Sequence, residues 1–142
     1  MLRDKRGTVV IETAIVAPVL ILLAIGAFEA SRMVSRQFEL QYSIDEAAQI
    51  ALAAAPGSAD EQATVKDVIE ASTGLADANV ELAAKFRCGT TATMVDDPAS
   101  CGATPYASFL RITLSDTYTP IWTQIAFGSP VTYSVVRTVQ IG

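Results

Sequence analysis

Residues able to do chemistry are few in this chain and widely spaced. There is no histidine, which removes Ser–His and Cys–His nucleophile pairs, His-ligated zinc and haem, and the usual general base near neutral pH. Asp45-Glu46 and Asp96-Asp97 are adjacent acids, a pattern that reads as a solvated helix face or turn. Asp96-Asp97-Pro98 lacks the alternating acids and glycine of a calcium loop. Cys88 and Cys101 are too far apart for a CxxC redox motif, and two cysteines without histidine make a poor zinc site. No catalytic residues, metal or cofactor are therefore expected. What remains is Glu12, a lone carboxylate within an apolar stretch. At the centre of a bilayer such a group costs about 2.5–3.5 kcal/mol on insertion scales, so it either has a partner or sits near the cytoplasmic interface, snorkelling or protonated.

The element that carries Glu12 is Thr8–Phe28, in which it is the only charge. Apolar residues make up 51% of the 142-residue chain and charged residues 18%, an apolar excess over ordinary soluble domains that places part of the surface in lipid. Twenty-one helical residues are long enough to cross a hydrocarbon core. Arg3, Lys5 and Arg6 precede the stretch, whereas the residues from 37 onward carry twelve acids against five bases. The positive-inside rule then puts the N-terminus in the cytoplasm and everything after Phe28 outside. The overall net charge of −5 argues against nucleic acid as a partner. Three readings of the stretch compete: a retained membrane helix, a secretory signal cut after Ala24-Ile25-Gly26 and before Ala27, and a buried core helix. The retained helix leads, because neither glycine nor proline interrupts Ala27–Ala55. Pro18 is a place for a kink.

Beyond Phe28 the pattern becomes amphipathic. Leu40, Ile44, Ala47, Ala51 and Ala54 recur at helical spacing, with Val34, Phe38 and Tyr42 widening that face. Arg32, Arg36, Glu39, Ser43 and Glu46 form the polar side, and Pro56-Gly57-Ser58 ends the run. One helix of about 45–48 residues, roughly 70 Å long, is expected. Its second half reads either as a core helix of its own domain or as a stalk that also packs on neighbouring subunits.

The remainder predicts a small α+β unit. Ser58–Thr73 reads as a short helix, capped by Asp60 and stopped by Gly74. Asn79–Arg87, Tyr106–Asp116 and Val131–Ile141 alternate as strands with one apolar face, interrupted in the last by Arg137, which is expected near a sheet end. Short connections favour an antiparallel sheet of three or four strands, covered by the long helix. If this part lies outside the membrane, a Cys88–Cys101 disulfide is the default reading, with two buried thiols as the alternative. Tyr118–Phe127 holds Tyr118, Ile121, Trp122, Ile125 and Phe127. It reads either as a loop folded over the core or as an exposed patch for a partner.

Gly7 offers Glu12 a partner. A cut between Gly7 and Thr8 makes Glu12 the fifth residue, one helical turn from a new α-ammonium. A neighbouring subunit's ammonium could then pair with this carboxylate and set the stagger between subunits. Basic leader, glycine, four residues, glutamate and apolar helix is the layout of a type IV prepilin. The run RGTVVIETAIVAPVLILLAIGAFEASRM resembles the start of the TadE-like family of minor pilin-like proteins (pseudopilins) of the tight-adherence, or Flp, pilus system of bacteria. Arg6, Gly7, Glu12, Ala17 and Pro18 match the family's pattern; Thr13 stands where Flp-type pilins often carry an aromatic. A looser likeness lies in the final strand, VVRTVQI.

The resemblance implies a leader at residues 1–7, a transmembrane helix at 8–28 and a periplasmic pilin-like domain at 29–142. The chain would sit as a single-pass protein of the bacterial inner membrane or be incorporated in a pilus. Its implied partners are the prepilin peptidase, other pilin or pseudopilin subunits and the Tad assembly platform. The role implied is assembly or priming, not turnover of a substrate. The competing class is a membrane-anchored binding or sensor domain unrelated to pili, which would need a pocket that the sequence does not display.

Overall fold

A computed structural model describes residues 6–125 and 128–142, with the side chains of 6–9 and of Ile125 left aside. Leader residues 1–5 and Phe127 of the aromatic connection lie outside the described residues. The architecture is α+β: a long helix α1 (Arg6–Ala54), a second helix α2 (Ala59–Thr73), and strands β1 (Val80–Cys88), β2 (Met94–Val95), β3 (Tyr106–Tyr118) and β4 (Val131–Gln140). The four strands form one antiparallel sheet in the order β2-β1-β3-β4.

Helix α1 runs without a break through Pro18 for 49 residues, about 74 Å. It ends because Ala55 turns left-handed (φ 42°) and donates its N–H to the Ala51 carbonyl at 2.9 Å, after which Pro56 cannot continue the helix. The cap of α2 is Ser58, not Asp60. The Ser58 hydroxyl accepts from the Glu61 N–H at 3.3 Å, while Glu61 Oε2 accepts from the N–H groups of Gly57 and Ser58 at 2.7 and 3.0 Å. A serine with a glutamate three residues on satisfies donors at both ends of the turn, which Asp60, already inside the helix, cannot do. Gly74, at φ 69°, closes α2.

The sheet register sets Val80, Leu82 and Ala84 of β1 opposite Leu114, Ile112 and Leu110 of β3, and these opposite Val135, Arg137 and Val139 of β4. Strand period therefore gathers one apolar face. Helices α1 and α2 cover it: α1 lies over β3 and β4, and α2 over β1. The core is Leu40, Ile44, Ala47, Ala48 and Ala51 of α1, Val65 and Ile69 of α2, and Val80, Leu110, Ile112 and Leu114 of the sheet. Ala47 and Ala51 are fully buried, so the small side chains let the helix axis approach the strands.

Further expectations are corrected: Ala54, expected on the core face of α1, is exposed. Val34, Phe38 and Tyr42 do not widen the core face; they are exposed. Advancing 100° per residue, Phe38 and Tyr42 fall on the side of α1 away from Leu40 and Ile44, with Val34 on the flank between. Arg137 lies in mid-strand rather than at a sheet end. It stands on the inner face of edge strand β4, where its guanidinium pairs with Asp45 of α1. An edge strand gives a long cationic side chain a lateral route to water.

Candidate assembly surface

Among the described residues, none buries the apolar first half of α1. Val10, Ile11, Ile15, Val16 and the residues from Val19 to Leu23 are all exposed, as are Ile25 and Phe28. The most apolar 18-residue window of the helix is wholly unburied within the chain and has a mean hydropathy of 2.4, long and apolar enough to cross a membrane. An apolar cylinder of this kind, uncovered all round, requires lipid or other helices around it. Glu12 sits near its N-terminal end and, with Thr13, Val16, Ala17 and Leu20, borders a shallow groove. Gly7 and Thr8 belong to the first turns of the same helix. Further along, a Cβ added to Gly26 would meet open space.

The exposed side continues into the second half. Phe38 is 63% and Tyr42 76% exposed, with Val34 on the same row. Thus α1 carries two apolar faces past Phe28: one on its own sheet, the other turned outward.

Between the halves lies a joint that the sequence reading missed. Glu29 is only 3% exposed, and its Oε2 accepts the Tyr118 hydroxyl at 2.7 Å. This bond, reinforced by burial, pushes the Tyr118 phenol above its ordinary value. Two turns on, Arg36 donates Nε to Asp116 near the end of β3 and Nη1 to Glu39 at 2.9 Å. Asp116 first and Glu39 second raise the Arg36 guanidinium further still. The signal was present in the sequence: Glu29, Met33, Gln37, Leu40 and Ile44 follow helical spacing, so Glu29 extends the core row.

Three of the four adjacent acids are engaged in the fold. Asp45 holds Arg137, Asp96 holds Lys85, and Asp97 accepts from the Ala99 N–H at 2.9 Å. Cys88 and Cys101 form a disulfide with Cα atoms 5.2 Å apart, tying β1 to the 3-10 turn Pro98–Cys101. Among the described residues no His, Cys, Asp and Glu gather in a group able to hold a metal ion. In the aromatic connection, Tyr118 points to Glu29, Ile121 is exposed, and Trp122 is half-buried beside Gly128. Gly128 has φ 77°, and a Cβ there would come within 3.3 Å of the indole nitrogen.

A long helix with an uncovered apolar half, an acid at its entry and a small sheet under its far half is the geometry to be compared with known proteins. Residues 7–49 match the TadE-like protein family. No curated protein and no solved structure matches the chain. The TadE-like segment spans the uncovered half of α1, the Glu29 joint and the start of the core row, and it ends before α2. The match and the stretch apolar enough to cross a membrane coincide on the first half of α1.

Proposed function

We propose that the chain is a minor pilin-like subunit that assembles or primes a Tad (Flp, type IV) pilus by packing its N-terminal helix against other subunits. The observation that carries this reading is the wholly uncovered apolar half of α1 with a single acid near its start. Residues 8–28 cross the bacterial inner membrane, 1–7 are a cytoplasmic leader, and 29–142 form the periplasmic domain. A prepilin peptidase cuts between Gly7 and Thr8. The α-ammonium of Thr8 in one subunit then meets Glu12 of another, offsetting the cost of the carboxylate in an apolar setting and fixing the axial stagger. The outward row Val34, Phe38 and Tyr42 continues that contact beyond the membrane. Other pilin or pseudopilin subunits and the Tad assembly platform are the partners, and Ile121 and Trp122 are a second surface for them.

Intact mass and N-terminal sequencing of the mature protein from its native membrane test the reading. A chain beginning at Thr8 is expected. A start at Ala27, or an intact leader in subunits of a working pilus, overturns it. Glu12→Ala is expected to abolish pilus formation while the chain still accumulates in the membrane, whereas unchanged piliation favours a membrane-anchored binding domain.

A further inference from the structure

We propose that the groove where α1 leaves its apolar half binds the phosphate of a phospholipid headgroup, with Arg32 as the principal ligand. The proposal rests on residues 8–28 spanning a membrane. The groove, about 480 Å³, lies between α1 and the C-terminal end of β3. Ser31, Ser35 and Thr119 line it beside Arg32, whereas the Thr117 hydroxyl meets Thr132 on the outer face of the sheet.

Three observations converge. First, Arg32 is the cation left over. The two acids lining the groove, Asp116 and Glu39, are both held by Arg36, and Glu29 is occupied by Tyr118. Among the described residues Arg32 has no carboxylate within 4.0 Å. Second, its charge lies at the level of the last apolar turn. The guanidinium sits over the Phe28 ring, 5.8 Å from the centroid, because long side chains on a helix lean toward its N-terminus, here toward the end of the apolar stretch. Third, the helix face below Arg32 suits an acyl chain. Phe28, Ile25 and Ile21 lie four, seven and eleven residues before it, on one row, and all three are exposed. A guanidinium fork matches phosphate oxygens, and neighbouring hydroxyls supply further donors. Free phosphate would use the cation and leave the apolar row bare, so the lipid is the occupant favoured.

The test is native mass spectrometry of the full chain released from bilayers containing phosphatidylglycerol and a diacylglycerol of the same acyl chains. The wild type is expected to retain the phospholipid about tenfold over the diacylglycerol, the ratio expected of one charge-assisted contact. Arg32→Gln should bring that ratio to about one, while Arg111→Gln, on the far face of the sheet, should leave it unchanged. A ratio in Arg32→Gln unchanged from the wild type overturns the proposal, as does loss of the lipid to millimolar inorganic phosphate, which would mark a free-anion site. Should Arg32→Gln fail to fold, Ser35→Ala with Thr119→Val takes its place. A fall of about threefold is then expected, and no fall overturns the proposal. Vesicle flotation reads the span separately: a chain that does not float with lipid removes the membrane reading itself.

Discussion

Tyr118 and Glu29, 89 positions apart in sequence, meet through a 2.7 Å hydrogen bond that ties the last residue of β3 to the middle of α1. The bond fixes the sheet to the helix just past the end of the uncovered stretch. A buried carboxylate such as Glu29 that loses its donor costs about 1–3 kcal/mol. Tyr118→Phe is therefore expected to lower the thermal midpoint by several degrees, measured by circular dichroism. The phenol also sets an alkaline limit. Its folded value lies above the ordinary 10.0, so the contribution is complete below the unfolded value and is lost as pH rises through the folded one. Tyr118→Phe should remove this part of the alkaline loss, read from unfolding curves above pH 10.

At the acid end the sensitive point is the cap of α2. Hydrogen bonds from the Gly57 and Ser58 N–H groups hold the Glu61 carboxyl below its ordinary 4.5. A depressed carboxyl stabilises the fold above its unfolded value and loses that effect as pH falls through the lower folded one. Amide exchange at Gly57 and Ser58 should accelerate as pH drops below 4.5, relative to intrinsic rates. Glu61→Ala should show the faster exchange already at neutral pH.

Ala55 occupies a left-handed conformation that favours glycine. Ala55→Gly should relieve this strain and stabilise the domain by about 1 kcal/mol, raising the midpoint by roughly 4–8 °C for a domain of about 100 residues. An unchanged or lowered midpoint would count against strain at this position.

Removing the Cys88–Cys101 disulfide frees a closed segment that includes β2. The chain-entropy model gives about 3 kcal/mol for a loop of this size. Cys88→Ser with Cys101→Ser, or reduction of the wild type, should lower stability by that order in urea unfolding. The double variant should then be insensitive to reductant.

Phe38 separates folding from assembly. It is exposed on the outward face of α1, so Phe38→Ser should change stability by less than about 0.5 kcal/mol. Co-purification with neighbouring subunits should nevertheless decline severalfold. A variant that loses stability but keeps its partners would place Phe38 in its own core instead.

The long helix, three principal strands and the cysteine pair were legible because each has a local signature: an apolar run, a period of two, a lone pair of thiols. Strand β2, two residues long, has too short a pattern to register. The outward turn of Val34, Phe38 and Tyr42 is not legible from apolarity alone, which does not tell one stripe on a helix from two. Two stripes, one for the sheet and one facing away, produce a similar density of apolar residues and separate only when angles are followed from Leu40. The Glu29–Tyr118 bond required a tertiary neighbour that no spacing rule supplies. Arg137 fell in mid-strand because Asp45, on the helix crossing above, answers its charge.

Because α1 continues from the lipid-sized stretch into the domain core without a hinge, the two parts cannot swivel independently. A pull on the sheet is delivered as tension along one rod, and a twist of the apolar shaft reappears as a turn of the whole head. Mechanical load would reach the far end of such a molecule without first unravelling a linker.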